Sequence, residues 1–140
     1  MFRAIGLMSG TSMDAVDVAL IETDGEARVT PGAVRSFAYR PEERALLRAA
    51  LGDAATLIDR TARPGVLAQA EAMVTARHAA AVEEFLGAEG LARDAIDVVG
   101  FHGQTVLHRP QDHLTVQIGD GAALSRMLGL KVIHDFRAAD

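Results

Sequence analysis

The sequence lacks several features that would define a partner or a compartment. It contains no cysteine, which excludes disulfide bonds and thiolate zinc sites. It has no cluster of basic residues and a formal net charge of −5, so neither nucleic acid nor an anionic membrane is expected as the main partner. It also has no apolar run of membrane-spanning length and no signal-peptide pattern, which predicts a cytoplasmic protein.

The composition is typical of one globular domain. With 140 residues, of which 49% are hydrophobic, the chain can bury one core, and we expect a single domain over residues 1–140. The apolar pattern predicts the element order β-β-β-α-α-β-β-α-β. The predicted strands cover residues 2–8, 15–23, 27–39, 97–101, 114–118 and 131–136, and the predicted helices cover residues 41–51, 64–86 and 121–128.

Turn and cap residues support these boundaries. Asp24-Gly25 is a hairpin signal between the second and third strands, and the third strand is interrupted near Pro31-Gly32. Gly52 is predicted to end the first helix, Asp120 to cap the third helix and Gly129 to end it. The predicted fold class is α/β, with a mixed sheet in which three sequential antiparallel strands precede helices and further strands.

A polar turn after the first strand carries the clearest chemical signal. Residues 6–17, GLMSGTSMDAVD, run from an apolar strand into small and hydroxylated residues that end in two carboxylates. Glycine admits a close ligand, amides and hydroxyls donate to phosphate oxygens, and a carboxylate suits Mg²⁺. A strand follows and no Gly-Lys-Ser/Thr is present, so a Walker-type site is disfavoured. The residues alone leave open a phosphate-binding loop or a simple hairpin turn.

Polar residues also follow two later predicted strands. Residues 102–105, HGQT, come after a buried strand that ends at Phe101, and residues 134–137, HDFR, come at the end of the last strand. Ligands bind at the carboxyl ends of strands in open α/β sheets. The three polar segments are therefore expected to converge.

Each candidate side chain also has a structural interpretation. Asp17 lies inside a strand, where it faces a ligand or satisfies backbone amides. His102 is either a backbone-bonded histidine at the edge of the core or a sugar contact. Asp135 and Arg137 form either a surface ion pair or a clamp for a carboxylate or phosphate.

His78 is expected to be structural, and a histidine metal site is disfavoured. His78 shares the packed face of the second helix with Val74, which favours a role in the core. A metal site built from His102, His108 and His113 is disfavoured, because their spacing is unlike that of zinc motifs.

Three ordered stretches resemble the opening part of the anhydro-N-acetylmuramic acid kinases. They are residues 6–17, residues 99–110 (VGFHGQTVLHRP), and residues 116–120 (VQIGD) leading to residues 135–137 (DFR). The resemblance runs from residue 5 to residue 140. It implies a ribonuclease H-like (actin-like ATPase) lobe of the sugar kinase, Hsp70 and actin superfamily, in which two lobes clamp ATP. Because those kinases are much longer, it also implies that residues 1–140 are one truncated lobe.

The resemblance implies a function and a set of site residues. The family uses ATP and Mg²⁺ to open the 1,6-anhydro ring of anhydro-N-acetylmuramic acid with water and to phosphorylate O6, in peptidoglycan recycling. The implied ATP-phosphate segment comprises Gly10, Thr11, Ser12, Met13, Asp14, Ala15, Val16 and Asp17, with Asp14 on the Mg²⁺ side. The implied sugar contacts are His102, Gln104, Thr105, Asp135 and Arg137. The general base is expected beyond residue 140, the expected partners are the amino sugar and ATP, and a homodimer is left open.

Two positions depart from the family pattern. Ala15 stands where the family usually has glycine, and Gly121 stands where it often has proline. The glycine at position 121 is expected only to loosen the start of a helix. Two alternatives stay open, another kinase or ATPase of the superfamily and a non-catalytic binding module derived from the lobe. Kinase activity is not expected of the 140-residue chain alone.

Overall fold

The computed structural model describes residues 1–135. These residues form β1 (Phe2–Ser9), β2 (Ala15–Thr23), β3 (Val29–Ala38), α1 (Pro41–Ala54), α2 (Leu67–Glu89), β4 (Val98–Arg109), β5 (Leu114–Ile118), α3 (Gly121–Leu128) and β6 (Val132–His134). Short 3-10 helices, Arg93–Ala95 and Pro110–Asp112, flank β4. The predicted order of strands and α-helices is confirmed. Within residues 1–135, none of the helices has the length and apolar character needed to cross a membrane.

The six strands form one mixed sheet. Their order is β3-β2-β1-β4-β5, with β6 paired to β4. The first three strands are antiparallel neighbours, whereas β4 is parallel to β1 and β6 and antiparallel to β5. The pairing of β2 with β3 shifts register next to Pro31, where the interruption was predicted. The predicted fold class is confirmed, and the architecture is consistent with an actin-like ATPase lobe.

The core lies between one face of the sheet and the helices. On β1 and β2, Ile5, Leu7, Val16 and Val18 are at most 2% exposed, as the period of two in a half-buried strand requires. The long helix α2 packs across this face against β2, β3, β4 and β5. The opposite face of the sheet carries an open groove of about 310 Å³, which is lined by Gly6, Leu7, Met8, Asp17, Ala19, Gly100 and His102.

The structure corrects the predicted ends of two helices. α1 does not end at Gly52 but continues to Ala54, which is 0% exposed, because burying one more apolar side chain outweighs the cost of a helical glycine. α2 begins at Leu67 rather than at residue 64. The Asp53 carboxylate accepts a hydrogen bond from the Val66 amide at 2.9 Å, which satisfies a backbone donor ahead of the helix.

The prediction that β4 ends at Phe101 is wrong, since the strand continues to Arg109. Gly103 permits the continuation, because its φ is +78° and a side chain there would overlap the carbonyl oxygen of Ile118. The pairing of β4 changes near this residue. Residues 98–104 pair with β1, and residues 104–109 pair with β5. Residues 102–105 therefore belong to an irregular strand and not to a loop.

Candidate active site

The turn between β1 and β2 exposes its polar groups. Gly10, Thr11 and Ser12 are exposed, and the Met13 amide donates to the Gly10 carbonyl at 3.0 Å to close the turn. Met13 has a φ of 56°, a left-handed conformation that costs a non-glycine residue about 1–2 kcal/mol. Such strain persists where the surrounding structure fixes the backbone, often at ligand sites. The Met13 amide is used to close the turn, and the exposed hydroxyls of Thr11 and Ser12 are available to an anionic ligand.

Asp14 ends the turn and faces solvent. Its side chain is 62% exposed, and its Oδ1 lies 3.2 Å from Nη2 of Arg44 on α1. The Tyr39 amide donates to the Asp14 carbonyl at 2.9 Å, which ties the end of the turn to the end of β3. An exposed carboxylate next to phosphate donors fits Mg²⁺, which commonly takes one or two carboxylates together with phosphate oxygens and water.

A buried polar network supports this turn from beneath. Gln104 is 0% exposed, its Oε1 accepts from the Ser9 hydroxyl, and its Nε2 donates to the carbonyls of Gly10 and Thr105, each at 3.1 Å. The Tyr39 hydroxyl lies 2.9 Å from the Ser9 oxygen, and burial raises the pKa of Tyr39 to about 12. Both donors and the acceptor of the Gln104 amide are therefore engaged within the protein.

The remaining residues of the predicted phosphate segment lie at the start of β2. Val16 is 0% exposed and belongs to the core, so only its backbone is available to a ligand. Ala15 is half-buried. Asp17 is exposed on the open face of the sheet, where it accepts a hydrogen bond from the Ser36 hydroxyl on β3.

A polar cavity of about 290 Å³ lies next to the ends of β5 and β6. His102 lines this cavity and also the open groove, so it lies where the two concave surfaces meet. Asp135 lines the cavity as well, and its carboxylate accepts from the Arg60 guanidinium at 3.1 and 3.5 Å. Thr105 does not line the cavity, and its hydroxyl accepts from the amide of Gln117, which does, at 3.2 Å. Arg137 lies outside the described residues.

α2 supports the floor of the cavity. The Glu71 carboxylate accepts from Arg63 Nε and from the Gly119 amide, each at 3.0 Å. The Thr75 hydroxyl accepts from the Asp120 amide at 2.9 Å, and the Asp120 carboxylate caps α3 as predicted. The connection from β5 to α3 is thereby fixed to α2.

Several cavity residues were not identified from the sequence. Arg60, Glu71 and His134 line the cavity with His102 and Asp135. Arg60 and Glu71 lie in segments that carried no motif, and their contacts span 75 and 48 positions of the chain. His134 belongs to the polar segment predicted at residues 134–137, but it was not assigned as a sugar contact.

The histidines separate into different environments. His78 is 0% exposed, its Nδ1 lies 2.7 Å from the Val74 carbonyl, and its ring meets the edge of Phe101, so the predicted core position is confirmed. Burial lowers the pKa of His78 to about 4. His108 is hydrogen-bonded to the Thr115 hydroxyl at 2.9 Å. Among residues 1–135, no group of three or more histidine, aspartate or glutamate side chains is arranged to hold a metal ion.

The chain is similar in sequence to one family of known proteins. A sequence model of the family described as anhydro-N-acetylmuramic acid kinase matches residues 2–140. A protein of that name from Nitrobacter winogradskyi is 57% identical over 140 residues, covering 100% of this chain and 38% of its own length. Relatives of the same name from Methylobacterium nodulans and Brucella canis are 57% and 56% identical, over 99% of this chain and 40% and 37% of their own lengths. The chain thus spans well under half the length of these relatives, and it belongs to the anhydro-N-acetylmuramic acid kinase family.

Proposed function

We propose that the full-length protein is an ATP-dependent kinase that opens 1,6-anhydro-N-acetylmuramic acid with water and phosphorylates its O6. The products are N-acetylmuramic acid 6-phosphate and ADP, and the reaction serves peptidoglycan recycling in the cytoplasm. Residues 1–140 form one lobe of this enzyme, since they match only 38% of a relative's length. The names of the relatives and the family match support the proposal.

One structural observation carries the assignment of the two ligands. The exposed turn at residues 10–14 is hydrogen-bonded through buried Gln104 to β4, the strand that carries His102 into the polar cavity. A phosphate bound at the turn and a sugar bound in the cavity are therefore positioned by the same pair of strands, β1 and β4. Phosphoryl transfer depends mainly on such positioning and on stabilisation of charge.

In the proposed reaction, a water oxygen forms a bond to C1 of the sugar while the bond between C1 and O6 breaks. The water gives up a proton to a base, and O6 attacks the γ-phosphorus as the bond to the bridging oxygen of ADP breaks. Amides and hydroxyls of Gly10, Thr11 and Ser12 hold the phosphate oxygens. His102 and Asp135 hold polar groups of the sugar, and Arg137 is assigned to its lactyl carboxylate. The family resemblance implies that the base lies beyond residue 140.

Asp14 is the proposed protein ligand of Mg²⁺. When bound, the ion neutralises charge on the phosphates of ATP. Arg44 orients the Asp14 carboxylate at the mouth of the turn from 3.2 Å away. Asp17, which shares the open groove with His102, is proposed to face the nucleotide from β2.

Two residues expected to contact the sugar are assigned a different role. Gln104 is 0% exposed and its amide is already fully hydrogen-bonded, so we assign it to positioning the phosphate turn. Thr105 is bonded to Gln117, which lines the cavity, and we place it behind the sugar site.

The test is to incubate the full-length protein with ATP, Mg²⁺ and anhydro-N-acetylmuramic acid and to identify the products by mass spectrometry. N-acetylmuramic acid 6-phosphate and ADP in equal amounts are expected. A parallel panel with N-acetylmuramic acid and N-acetylglucosamine separates this function from that of another sugar kinase. Preferred turnover of either panel sugar, or ATP hydrolysis without phosphosugar, would refute the proposal.

A further inference from the structure

α3 begins against the end of β6 with very little space between their backbones. A side chain at Gly121, the first residue of α3, would place its Cβ atom in overlap with the His134 ring and 2.6 Å from the His134 Cβ. Rotation of the His134 ring relieves the overlap with the ring but not the overlap with Cβ, whose position the backbone fixes. With the two backbones as they are, only one of positions 121 and 134 can carry a side chain.

In this chain the side chain stands at position 134, where it lines the polar cavity beside His102 and Asp135. The neighbouring charged groups are engaged in the walls: Arg60 pairs with Asp135, and Arg63 pairs with Glu71. The ring nitrogens of His134 have no hydrogen-bond partner within residues 1–135. An imidazole has one donor and one acceptor in its neutral form, which suits a sugar hydroxyl or amide.

We propose that His134 is a specificity-determining residue of the sugar cavity, and that Gly121 allows it to occupy that position. The proposal rests on the proposed function, because it takes the cavity to be the sugar site. It also explains the departure at position 121. A proline there would start the helix well but would collide with the side chain at position 134, so the glycine is required by its neighbour across the cavity wall.

The functional test uses His134→Gly and His134→Asn in the full-length protein, with steady-state kinetics for both substrates. Loss of one hydrogen bond to the sugar in His134→Gly should raise the KM for the anhydro-sugar about tenfold and leave kcat and the KM for ATP within about twofold. His134→Asn, which keeps a donor and an acceptor, should recover part of the loss. His113→Gly is the matched control, because His113 is exposed, has a φ of 50° and does not line the cavity.

Different results separate the two hypotheses. Suppose that the wild-type protein turns over the anhydro-sugar. If His134→Gly then has an unchanged KM for the sugar, or a KM that rises equally for the sugar and for ATP, the role of His134 is refuted while the proposed function stands. If the wild-type protein does not turn over the sugar, the proposed function fails, and the assignment of His134 to a sugar site fails with it.

The steric conflict between positions 121 and 134 is tested independently of any ligand. Gly121→Ala should lower the Tm of the full-length protein by about 5 °C, because overpacking destabilises a tight contact. The same substitution in the His134→Gly background should cost little or should stabilise, since alanine is the better helix former. If Gly121→Ala is insoluble, a soluble double variant gives the same answer. An equal loss in both backgrounds would refute the reciprocal constraint.

Discussion

The turn at residues 10–14 and the polar cavity are supported by different kinds of interaction. The turn rests on Gln104, Ser9 and Tyr39, which are nearly or fully buried and joined by uncharged hydrogen bonds. One wall of the cavity is held by an ion pair between distant segments, Arg60 with Asp135, whose side chains are 46% and 52% exposed. Exposed ion pairs contribute about 0–1 kcal/mol, whereas a buried polar group left unsatisfied costs about 1–3 kcal/mol.

The two proposed ligands would therefore face surfaces of different stiffness. The turn at residues 10–14 is pre-organised. The Gly10 carbonyl is fixed by the buried network, and Met13 is held in its strained conformation by the short turn. The cavity wall can rearrange at little cost by exchanging one exposed ion pair for contacts with a ligand. Substitutions in each region test this contrast.

The isolated 140-residue chain should have no kinase activity, although its buried core should let it fold. Two-lobe positioning supplies most of the rate in phosphoryl transfer, so a single lobe is expected to lose essentially all of it. The measurement is product formation with ATP, Mg²⁺ and the anhydro-sugar, together with ATP titration by calorimetry and a cooperative unfolding curve. Phosphosugar formed by the purified chain would refute the single-lobe proposal and require that a second copy supplies the missing groups.

Asp14→Asn in the full-length protein should lower kcat by about 10²–10³-fold, because a lost charge contact at the phosphates acts mainly in the transition state. Arg44→Gln removes the ion pair but keeps the carboxylate, and it should have a much smaller effect. Asp112→Asn is the control, since Asp112 is 58% exposed and also lies near an arginine, Arg109. Similar losses in the Asp14 and Asp112 variants would show that the Asp14 charge has no special role.

Gln104→Met should raise the KM for ATP about tenfold and change the KM for the sugar much less, because the Gly10 carbonyl loses its buried donor. The free energy of unfolding should also fall by about 1–3 kcal/mol for the unsatisfied groups left behind. Tyr39→Phe removes only the outer bond to Ser9 and should show a weaker form of both effects. A larger increase in the KM for the sugar than in the KM for ATP would instead assign Gln104 to the sugar site.

The sequence predicted the turn well and the cavity poorly, for physical reasons. The closure of the turn between Met13 and Gly10, the Asp120 cap and the Gly129 helix end depend on contacts within a few residues, so local patterns reveal them. The support of the turn by Gln104 spans 94 positions and was not predicted. The extension of β4 past Gly103 depends on a partner strand, β5, that the local pattern does not include. The Arg60 contact with Asp135 spans 75 positions, and no short-range pattern reports such a pairing.

His102→Ala in the full-length protein should raise the KM for the anhydro-sugar about tenfold and leave the KM for ATP within about twofold, because His102 lines the cavity that is proposed to hold the sugar. His108→Ala is the matched control, since His108 is an exposed histidine of the same strand, bonded to Thr115. Equal losses for both ligands in His102→Ala would instead assign His102 to the shared support of both regions.

The last prediction concerns stability and not catalysis, and its subject is His78, which lies beneath the cavity with its ring against Phe101. Burial holds its pKa at about 4, below the ordinary value of 6.5, so the unfolded state binds the extra proton. Its contribution to stability is complete above pH 6.5 and declines as the pH falls towards 4, by about 1.4 kcal/mol per pH unit. The measurement is the difference in free energy of unfolding between the wild type and His78→Leu at pH 7, 6 and 5. That difference should shift in favour of the variant as the pH falls, and a pH-independent difference would show that His78 does not titrate between the two states.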